Sequence, residues 1–486
     1  MKIVGVIAEF NPFHNGHARL LAHAKKELGA DYVIAVMSGD FVQRGEPACQ
    51  SRRVRAHEAL AAGFDAVFAL PVGISTASAE GFARGGVRAL DALGCVDTLL
   101  FGSESGDLPR LEACAAALLR EEPSRVEVLK HCLKEGLSYP AARARAFPEY
   151  ADLLERPNNI LAVEYCKALL ASGSALRPQT LIRTGGYHES QASDAPSAET
   201  IRRQADLYME NRQACAFEKT DVKTDCSRER QCPFTRSFCE EMQLQLEKET
   251  TSGSRMENGG LVLRCRPHAL LRQYEKDIQE LPAARLRQTT SDRLPAELHT
   301  LARRTMPAAS ADIFLEDIRK NGLVTPEDFS LLLSASLFKA VSFEDYLPFA
   351  GVTEDLARRF FEKRARFTSY RAFAESVRSK NTTLTAVSRA LLSILLELPK
   401  GAETSLPYLR ILGYRKDAQP LLQKIAANAS VPVLYRIAEA EAIAARPEAK
   451  AHLRREMVSQ SLYEVVRAKK NGQPPRPDHA LPLLRV

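Results

Sequence analysis

The sequence predicts an α/β fold: a parallel sheet with helices on both faces, followed by a mostly α-helical region. Three observations predict it. Short apolar runs alternate with helical stretches through the first two hundred residues, the pattern from which parallel sheets are built. The most conspicuous polar motifs follow the ends of those runs, where ligands bind in such sheets. After Pro295 apolar residues recur at helical spacing instead.

Ile3–Ala8 reads as a buried first strand. A turn broken by Pro12 follows, and a helix opens at His14-Asn15-Gly16-His17. Tyr32–Met37, Ala66–Leu70 and Thr98–Phe101 read as the next strands, with Ala18–Leu28, Val54–Ala62, Phe82–Leu93 and Leu108–Leu119 as the helices between and after them. Ser38-Gly39-Asp40 follows the second strand, Pro71 the third and Gly102-Ser103-Glu104 the fourth, which predicts one shared site. Across 205–285 the texture changes: Glu218–Cys239 and Glu247–Gly260 are charged and aperiodic, with little to bury, and predict a polar, flexible insertion. In 286–400, Phe329–Lys339, Val352–Arg366, Tyr370–Val377 and Thr385–Leu398 predict a helical domain. Gly401–Leu434 reads as a further small unit within 401–486, and Arg467–Arg476 as a basic, mobile tail.

A chain of 486 residues predicts two or three domains. No apolar run reaches the length needed to span a bilayer, and the first residues enter a strand without a signal peptide, so a cytoplasmic location is expected. Cys95, Cys114, Cys132 and Cys166 sit among apolar or helical residues and read as small hydrophobes. Cys226, Cys232 and Cys239 fit no zinc spacing, and Cys-x-x-Cys, His-Glu-x-x-His and a Gly-Lys-Ser/Thr phosphate loop are all missing. No protein-borne metal site is expected. Residues 1–200 hold 21 Lys+Arg against 24 Asp+Glu, leaving 46 against 36 for the remainder. A near-neutral half joined to a basic one suits a small-molecule site beside a polyanion platform, or simply solvated helix faces.

His14-Asn15-Gly16-His17 is the most informative motif. With 10 His and 25 Gly in the chain, chance supplies such a pattern about 0.01 times. Two imidazoles three residues apart share one face of a first helical turn, where free N–H groups and the helix dipole attract anions. Gly16 lacks a Cβ, so a base or phosphate can approach the backbone. The arrangement suits a nucleoside triphosphate whose departing pyrophosphate must be stabilised. Ser197-Ala198-Glu199-Thr200-Ile201-Arg202 can aim hydroxyls and a guanidinium at a phosphate, or be an N-capped helix and no more. Arg358–Arg366 interleaves cations and aromatics, as an RNA platform or as the two faces of one amphipathic helix.

The motif is similar to the HxGH loop of the nucleotidyltransferase superfamily, and Ala8–His17 resembles the bacterial tRNA(Met) cytidine acetate ligases in particular. Met37–Ala48, Ala79–Gly86, Phe101–Asp107 and Arg156–Leu161 carry the same resemblance. It implies a Rossmann-like nucleotidyltransferase domain over 1–204 and a tRNA-binding role for the helical domain. It further implies that ATP and acetate give acetyl-adenylate, and that the N4 amine of the wobble cytidine of elongator tRNA(Met) then takes the acetyl group. Mg2+ is a candidate companion of the triphosphate. Carried onto this chain, the ATP cradle comprises Ile7, Ala8, Glu9, Phe10, Asn11, Pro12, Phe13, His14, Asn15, Gly16, His17, Ala18, Arg19 and Leu20. His14 and His17 hold the phosphates and carry the catalytic role, Gly102 leaves room for the nucleotide, Asn158 or Asn159 hydrogen-bonds it, and Arg183 neutralises phosphate charge. Cys49-Gln50-Ser51-Arg52 departs from the family's Asp-Lys, and Ala69 stands where an acid commonly precedes Leu-Pro. Two other readings stay open: an adenylyltransferase acting on a small phosphorylated metabolite, and an RNA-binding protein with a vestigial nucleotide fold.

Overall fold

In the computed structural model, which describes residues 1–120, 122–183, 198–207, 294–436, 447–476 and 481–486, the run Ile3–Ala8 forms β1. Its side chains alternate between two cores. Ile3 and Ile7 join one apolar cluster, and Val4, Val6 and Ala8 join another on the opposite face. A strand buried on both faces needs an unbroken apolar run, which is what the sequence supplies. After β1 come α1 (Asn15–Lys26), β2 (Tyr32–Ser38), a hairpin of β3 (Phe41–Val42) and β4 (Glu46–Pro47), α2 (Arg52–Ala62) and β5 (Ala66–Leu70). Next are α3 (Val72–Ser75), α4 (Ala79–Ala92), β6 (Thr98–Ser103), α5 (Leu108–Leu119), α6 (Pro123–Lys134), α7 (Tyr139–Ala146), α8 (Ala151–Leu154), α9 (Pro157–Ser172) and β7 (Arg177–Ile182). Residues 198–207 are helical.

The second half contributes α10 (Ala296–Thr305), α11 (Ala308–Asn321), α12 (Ser330–Phe338), α13 (Glu354–Lys363), α14 (Tyr370–Val377) and α15 (Leu384–Leu395). They are followed by β8 (Leu409–Tyr414), α16 (Gln419–Asn428), β9 (Val433–Leu434), α17 (Pro447–Lys470) and β10 (Leu484–Arg485). The main sheet runs β10-β8-β5-β2-β1-β6-β7, with β9 also on β8. From β5 through β7 its neighbours are parallel, while β8 is antiparallel to β5. The chain steps from β1 outward to β2 and β5, then returns to the other side of β1 as β6. That reversal opens a crevice at the carboxyl ends of β1 and β6, the place where such sheets bind ligands.

The sheet corrects two expectations. Gly401–Leu434 was expected to stand as a small unit apart; instead Leu409–Tyr414 pairs with β5, Val67 lying opposite Gly413 and Ala69 opposite Arg410. Residues 1–205 and 296–486 accordingly form one compact unit. β6 runs two residues past its expected end because Gly102 and Ser103 pair with Leu181 and Ile182 of β7, a strand not foreseen. Pro178 obscures β7, and proline is tolerated there because β7 lies at the sheet's edge.

The helices of 330–395 pack around Phe329, Leu333, Phe360, Phe373 and Leu391, a core that also takes Phe41 from β3 and Tyr463 from α17. Phe360 is buried and Arg358 and Arg366 are exposed, while Arg359 and Arg364 are half-buried and donate to the carbonyls of Val377 and Ala340. Arg358 pairs with Glu354 at 2.7 Å and Arg359 with Asp355 at 2.6 Å, while Arg364 stacks 3.8 Å over Phe361. The tail expected at Arg467–Arg476 begins instead as the last turn of α17, with Arg467 held by Glu464 at 2.7 Å. Cys95, Cys114, Cys132 and Cys166 are buried free thiols. The expected insertion at 205–285, with its cysteines, lies outside the described residues beyond position 207. Among the described residues no helix is long and apolar enough to cross a membrane.

Candidate active site

Beyond the carboxyl end of β1 the chain turns sharply. Phe10 takes a left-handed φ of +48°, and its ring packs edge-on under His17 at 4.8 Å. Phe13 and Phe64 complete an apolar floor. His14 is the N-cap of α1, and its Nδ1 accepts the Gly16 amide at 3.0 Å. In return His17 Nδ1 accepts the His14 amide at 3.2 Å, so the two rings close a reciprocal capping box. The imidazoles stack with centroids 3.9 Å apart.

This geometry sets the chemistry of both rings. A ring nitrogen that accepts a backbone N–H carries no proton, so each neutral imidazole holds its proton on Nε2. Burial, with the charges of Arg183 and Arg202, pushes the His14 pKa down to about 3. Burial, His14 and Arg183 lower that of His17 as well. At neutral pH the site therefore presents two Nε2–H donors at a helix N-terminus, facing two guanidinium groups. An arriving polyanion meets donors already arranged for it.

Gly16 serves this arrangement in a way the sequence did not show. A Cβ there would lie 2.7 Å from His14 Cε1 and 2.9 Å from Nδ1. The space expected for a ligand is occupied by the His14 ring folded back on the amide that it caps.

The remaining expected residues divide into those facing the crevice and those supporting it. Arg183 follows β7, and its side chain lies over Gly102, where a Cβ would come within 3.1 Å of Arg183 Cγ. Its Nη1 donates to Asn158 Oδ1 at 3.1 Å, while Asn158 Nδ2 donates to Glu104 Oε1 at 2.6 Å. Arg183, Asn158 and Glu104 thus form one polar chain along the β6 side. Asn159 is buried and internal: its Oδ1 accepts the Glu104 and Ser105 amides, and its own amide donates to Glu104 Oε2. It shapes the loop, so of the two asparagines Asn158 is the one beside Arg183.

Ile7 and Ala8 point into the two cores, and Phe10 and Phe13 into the floor. Asn11 Oδ1 accepts the Cys49 amide at 2.8 Å, and the Asn11 carbonyl accepts from Arg202. Pro12 follows a cis peptide bond. Glu9 accepts the Gln43 amide at 2.8 Å, and Asn15 Nδ2 donates to the Arg304 carbonyl at 2.9 Å. Ala18 and Leu20 pack on the second core, and Arg19 is exposed. Of the segment Ile7–Leu20, the side chains that meet at the crevice are those of His14 and His17; most of the others form its scaffold. Ser197 of the second motif lies outside the described residues, but Arg202 reaches the turn directly and Glu199 pairs with Arg44 at 2.8 Å.

Three supporting residues were missed. Glu104 was read only as part of a motif. Arg55 is fully buried and donates to the carbonyls of Glu9, Gly39 and Gln50, pinning the loops after β1 and β2. A basic residue at a core-facing position of α2 was the signal. Glu58, also fully buried, accepts the Phe13 amide at 3.4 Å, and burial beside Asp317 raises its pKa well above the usual carboxylate range.

The profile of the HIGH nucleotidyl transferase family matches residues 1–259 and 266–476. A tRNA(Met) cytidine acetate ligase of Acetivibrio thermocellus is 30% identical over 455 residues, covering 90% of this chain and 89% of its own. One from Caldicellulosiruptor saccharolyticus is 31% identical over 433 residues, covering 87% and 85% respectively. The crystal structure of Thermotoga maritima TmcAL bound with α-thio ATP aligns over the whole of both chains, with a TM-score of 0.73 and 26% identity.

Proposed function

The chain belongs to the HIGH nucleotidyl transferase family and, within it, to the tRNA(Met) cytidine acetate ligases, and from that premise we propose that it activates acetate with ATP and passes the acetyl group to N4 of the wobble cytidine of elongator tRNA(Met). A carboxylate does not acylate an amine at neutral pH, because oxide is too poor a leaving group. In the first step an acetate oxygen attacks the α-phosphorus of ATP, and the bond to the β-phosphate oxygen breaks. Acetyl-adenylate and pyrophosphate result. In the second, the cytidine N4 amine attacks the acetyl carbon, AMP leaves with the bonding pair, and the amine loses a proton.

The observation that carries this reading is the stacked imidazole pair at the start of α1, in which each Nδ1 accepts a backbone amide and so leaves the ring proton on Nε2. In the proposed first step negative charge builds on the bridging oxygen and the departing pyrophosphate. Two fixed N–H donors stabilise that charge without reorganising, and Arg183 and Arg202 supply the complementary field. Asn158 holds the Arg183 fork through Oδ1.

His17→Ala tests the assignment. Acetate-dependent pyrophosphate release is expected to fall roughly 10²-fold in kcat, about 3 kcal/mol, with KM for ATP little changed. A raised KM with kcat unchanged marks contacts made equally in the ground state and the transition state. An unchanged kcat removes the catalytic role. N4-acetylcytidine on transcribed tRNA(Met), measured by nucleoside mass spectrometry, tests the second step.

A further inference from the structure

Arg358, Arg359, Arg364 and Arg378 of the helical core all have partners. Arg358 lies with Glu354, Arg359 with Asp355 and the Val377 carbonyl, Arg364 with the Ala340 carbonyl and the Phe361 ring, and Arg378 with Glu375 at 3.5 Å. Arg389, in the middle of α15, is different. Among the described residues its guanidinium bonds no carboxylate or carbonyl and stacks on no ring, and burial alone pushes its pKa down from 12.5 to about 10.

The helix explains how the cation is both desolvated and reachable. Ser388 and Ala390 beside it are buried, as are Leu392, Ser393 and Leu396 beyond it. Thr385 and Ala386, one turn earlier, are half-buried, and so is Arg389. Helical side chains lean toward the helix N-terminus, which carries the guanidinium over Thr385 and Ala386, toward the open end of this face. Arg183 of the nucleotide crevice combines the same two properties, a side chain open to solvent and a pKa lowered by burial.

Arg389 also stands next to the turn that carries His14. Gly45, at the tip of the β3–β4 hairpin, seats so closely on α15 that a Cβ there would lie 2.3 Å from the Arg389 backbone nitrogen. Two residues earlier the Gln43 amide donates to Glu9. Arg44, between them, pairs with Glu199, and one turn along that helix Arg202 donates to the Asn11 carbonyl. The hairpin tip thus brings Arg389 to the seam between the helical core and the nucleotide turn.

A guanidinium keeps its charge at neutral pH, and a desolvated charge without a counter-charge is unfavourable until an anion arrives. Its planar fork matches phosphate oxygens. The triphosphate has its own donors in His14, His17, Arg183 and Arg202. The second substrate must bring a cytidine amine to the acetyl carbon, and the phosphates on either side of that base follow it to the mouth of the crevice. We propose that Arg389 binds a phosphodiester of the tRNA next to the reactive cytidine and so fixes the RNA from the helical side of the crevice. The proposal rests on the reading of the chain as a tRNA ligase.

The test uses the full chain, transcribed tRNA(Met) and the variants R389Q and R389K. R389Q is expected to raise the KM for tRNA in N4-acetylcytidine formation about tenfold, the loss of one charged hydrogen-bonded contact, while the KM for ATP in pyrophosphate release changes little. The slope of log K for tRNA against log salt is expected to flatten by about 0.7. R389K is expected to recover part of the affinity, because it keeps the charge without the fork. Thermal unfolding separates binding from support: removing an unpaired, desolvated cation is expected to leave R389Q melting at or above wild type. A lower midpoint means that Arg389 is tied within the protein and overturns the proposal, as does an R389Q that matches wild type in tRNA affinity and salt slope. A KM for ATP raised as much as that for tRNA makes Arg389 a triphosphate contact and overturns the RNA assignment. A wild type that releases pyrophosphate with acetate but binds no tRNA overturns the underlying reading instead.

Discussion

At position 14 a single ring nitrogen, Nδ1, accepts the Gly16 amide at 3.0 Å, and that bond leaves no room for a proton there. The His14 pKa, near 3 in the fold, lies below its ordinary 6.5. As pH falls below about 6.5 the unfolded chain therefore takes up a proton that the folded chain refuses. Stability is complete above that pH and declines from there toward pH 3, by about 2 kcal/mol at pH 5 from this ring alone. His17 acts in the same direction. Glu58 acts in the other, since a carboxyl held protonated loses stability as pH rises through the unfolded value. His14→Asn isolates the ring, because asparagine caps a helix well but does not titrate. Denaturant unfolding of wild type and variant at pH 7 and pH 5 is expected to show the variant losing about 2 kcal/mol less. Equal losses mean that His14 titrates normally in the folded protein.

The β3–β4 hairpin joins the turn after β1 to the helical core. Its Gln43 amide donates to Glu9, and the Gly45 carbonyl accepts from the buried Tyr370 hydroxyl at 3.1 Å, a hydroxyl also 3.3 Å from the Ser388 carbonyl. Gly45 has φ +79°, and a Cβ would fall onto the backbone of Ser388 and Arg389 in α15. Gly45→Ala therefore combines backbone strain with a clash against backbone that cannot yield, and is expected to cost about 3 kcal/mol or more. A variant melting within a degree or two of wild type shows that the hairpin docks loosely. Other parts of the fold were legible where one period dominates. Ile3–Ala8, Ala66–Leu70, Leu108–Leu119 and Tyr370–Val377 have the ends that their apolar patterns predict. What a pattern cannot carry is the partner. The sequence shows that Gly16 lacks a Cβ but not that the His14 ring uses the space, and it shows an arginine at 55 but not the three carbonyls it pins. The two histidines, Arg183 and Arg202 were legible because the motifs containing them are short and local.

Strands between residues 3 and 182 and between 409 and 485 build one sheet, and the ties between these two stretches are buried. Arg52 donates to Glu456 of α17, whose other oxygen accepts the Val72 amide at 3.0 Å. Tyr463 reaches the Ala48 carbonyl at 2.8 Å. Leu409, Ile411, Leu421 and Ile425 sit in the same apolar cluster as Ile7 and Phe68. A chain ended after residue 404 would uncover the edge of β5, open that cluster and leave Arg52 without its Glu456 partner. Losing one member of a buried ion pair costs about 3–5 kcal/mol, and each large apolar side chain removed from a core adds about 2–5. Against a total stability of roughly 5–15 kcal/mol for a typical domain, the truncated chain is expected not to fold, although it carries His14, His17, Asn158, Arg183 and Arg202. The measurement is thermal unfolding of the truncated chain by circular dichroism, with binding of an ATP analogue alongside. A cooperative transition close to that of the full chain would make the crevice an autonomous unit, with the C-terminal strands a later covering. Loss of both the transition and the binding means that the histidine pair keeps its geometry only while β8 closes the sheet three strands away.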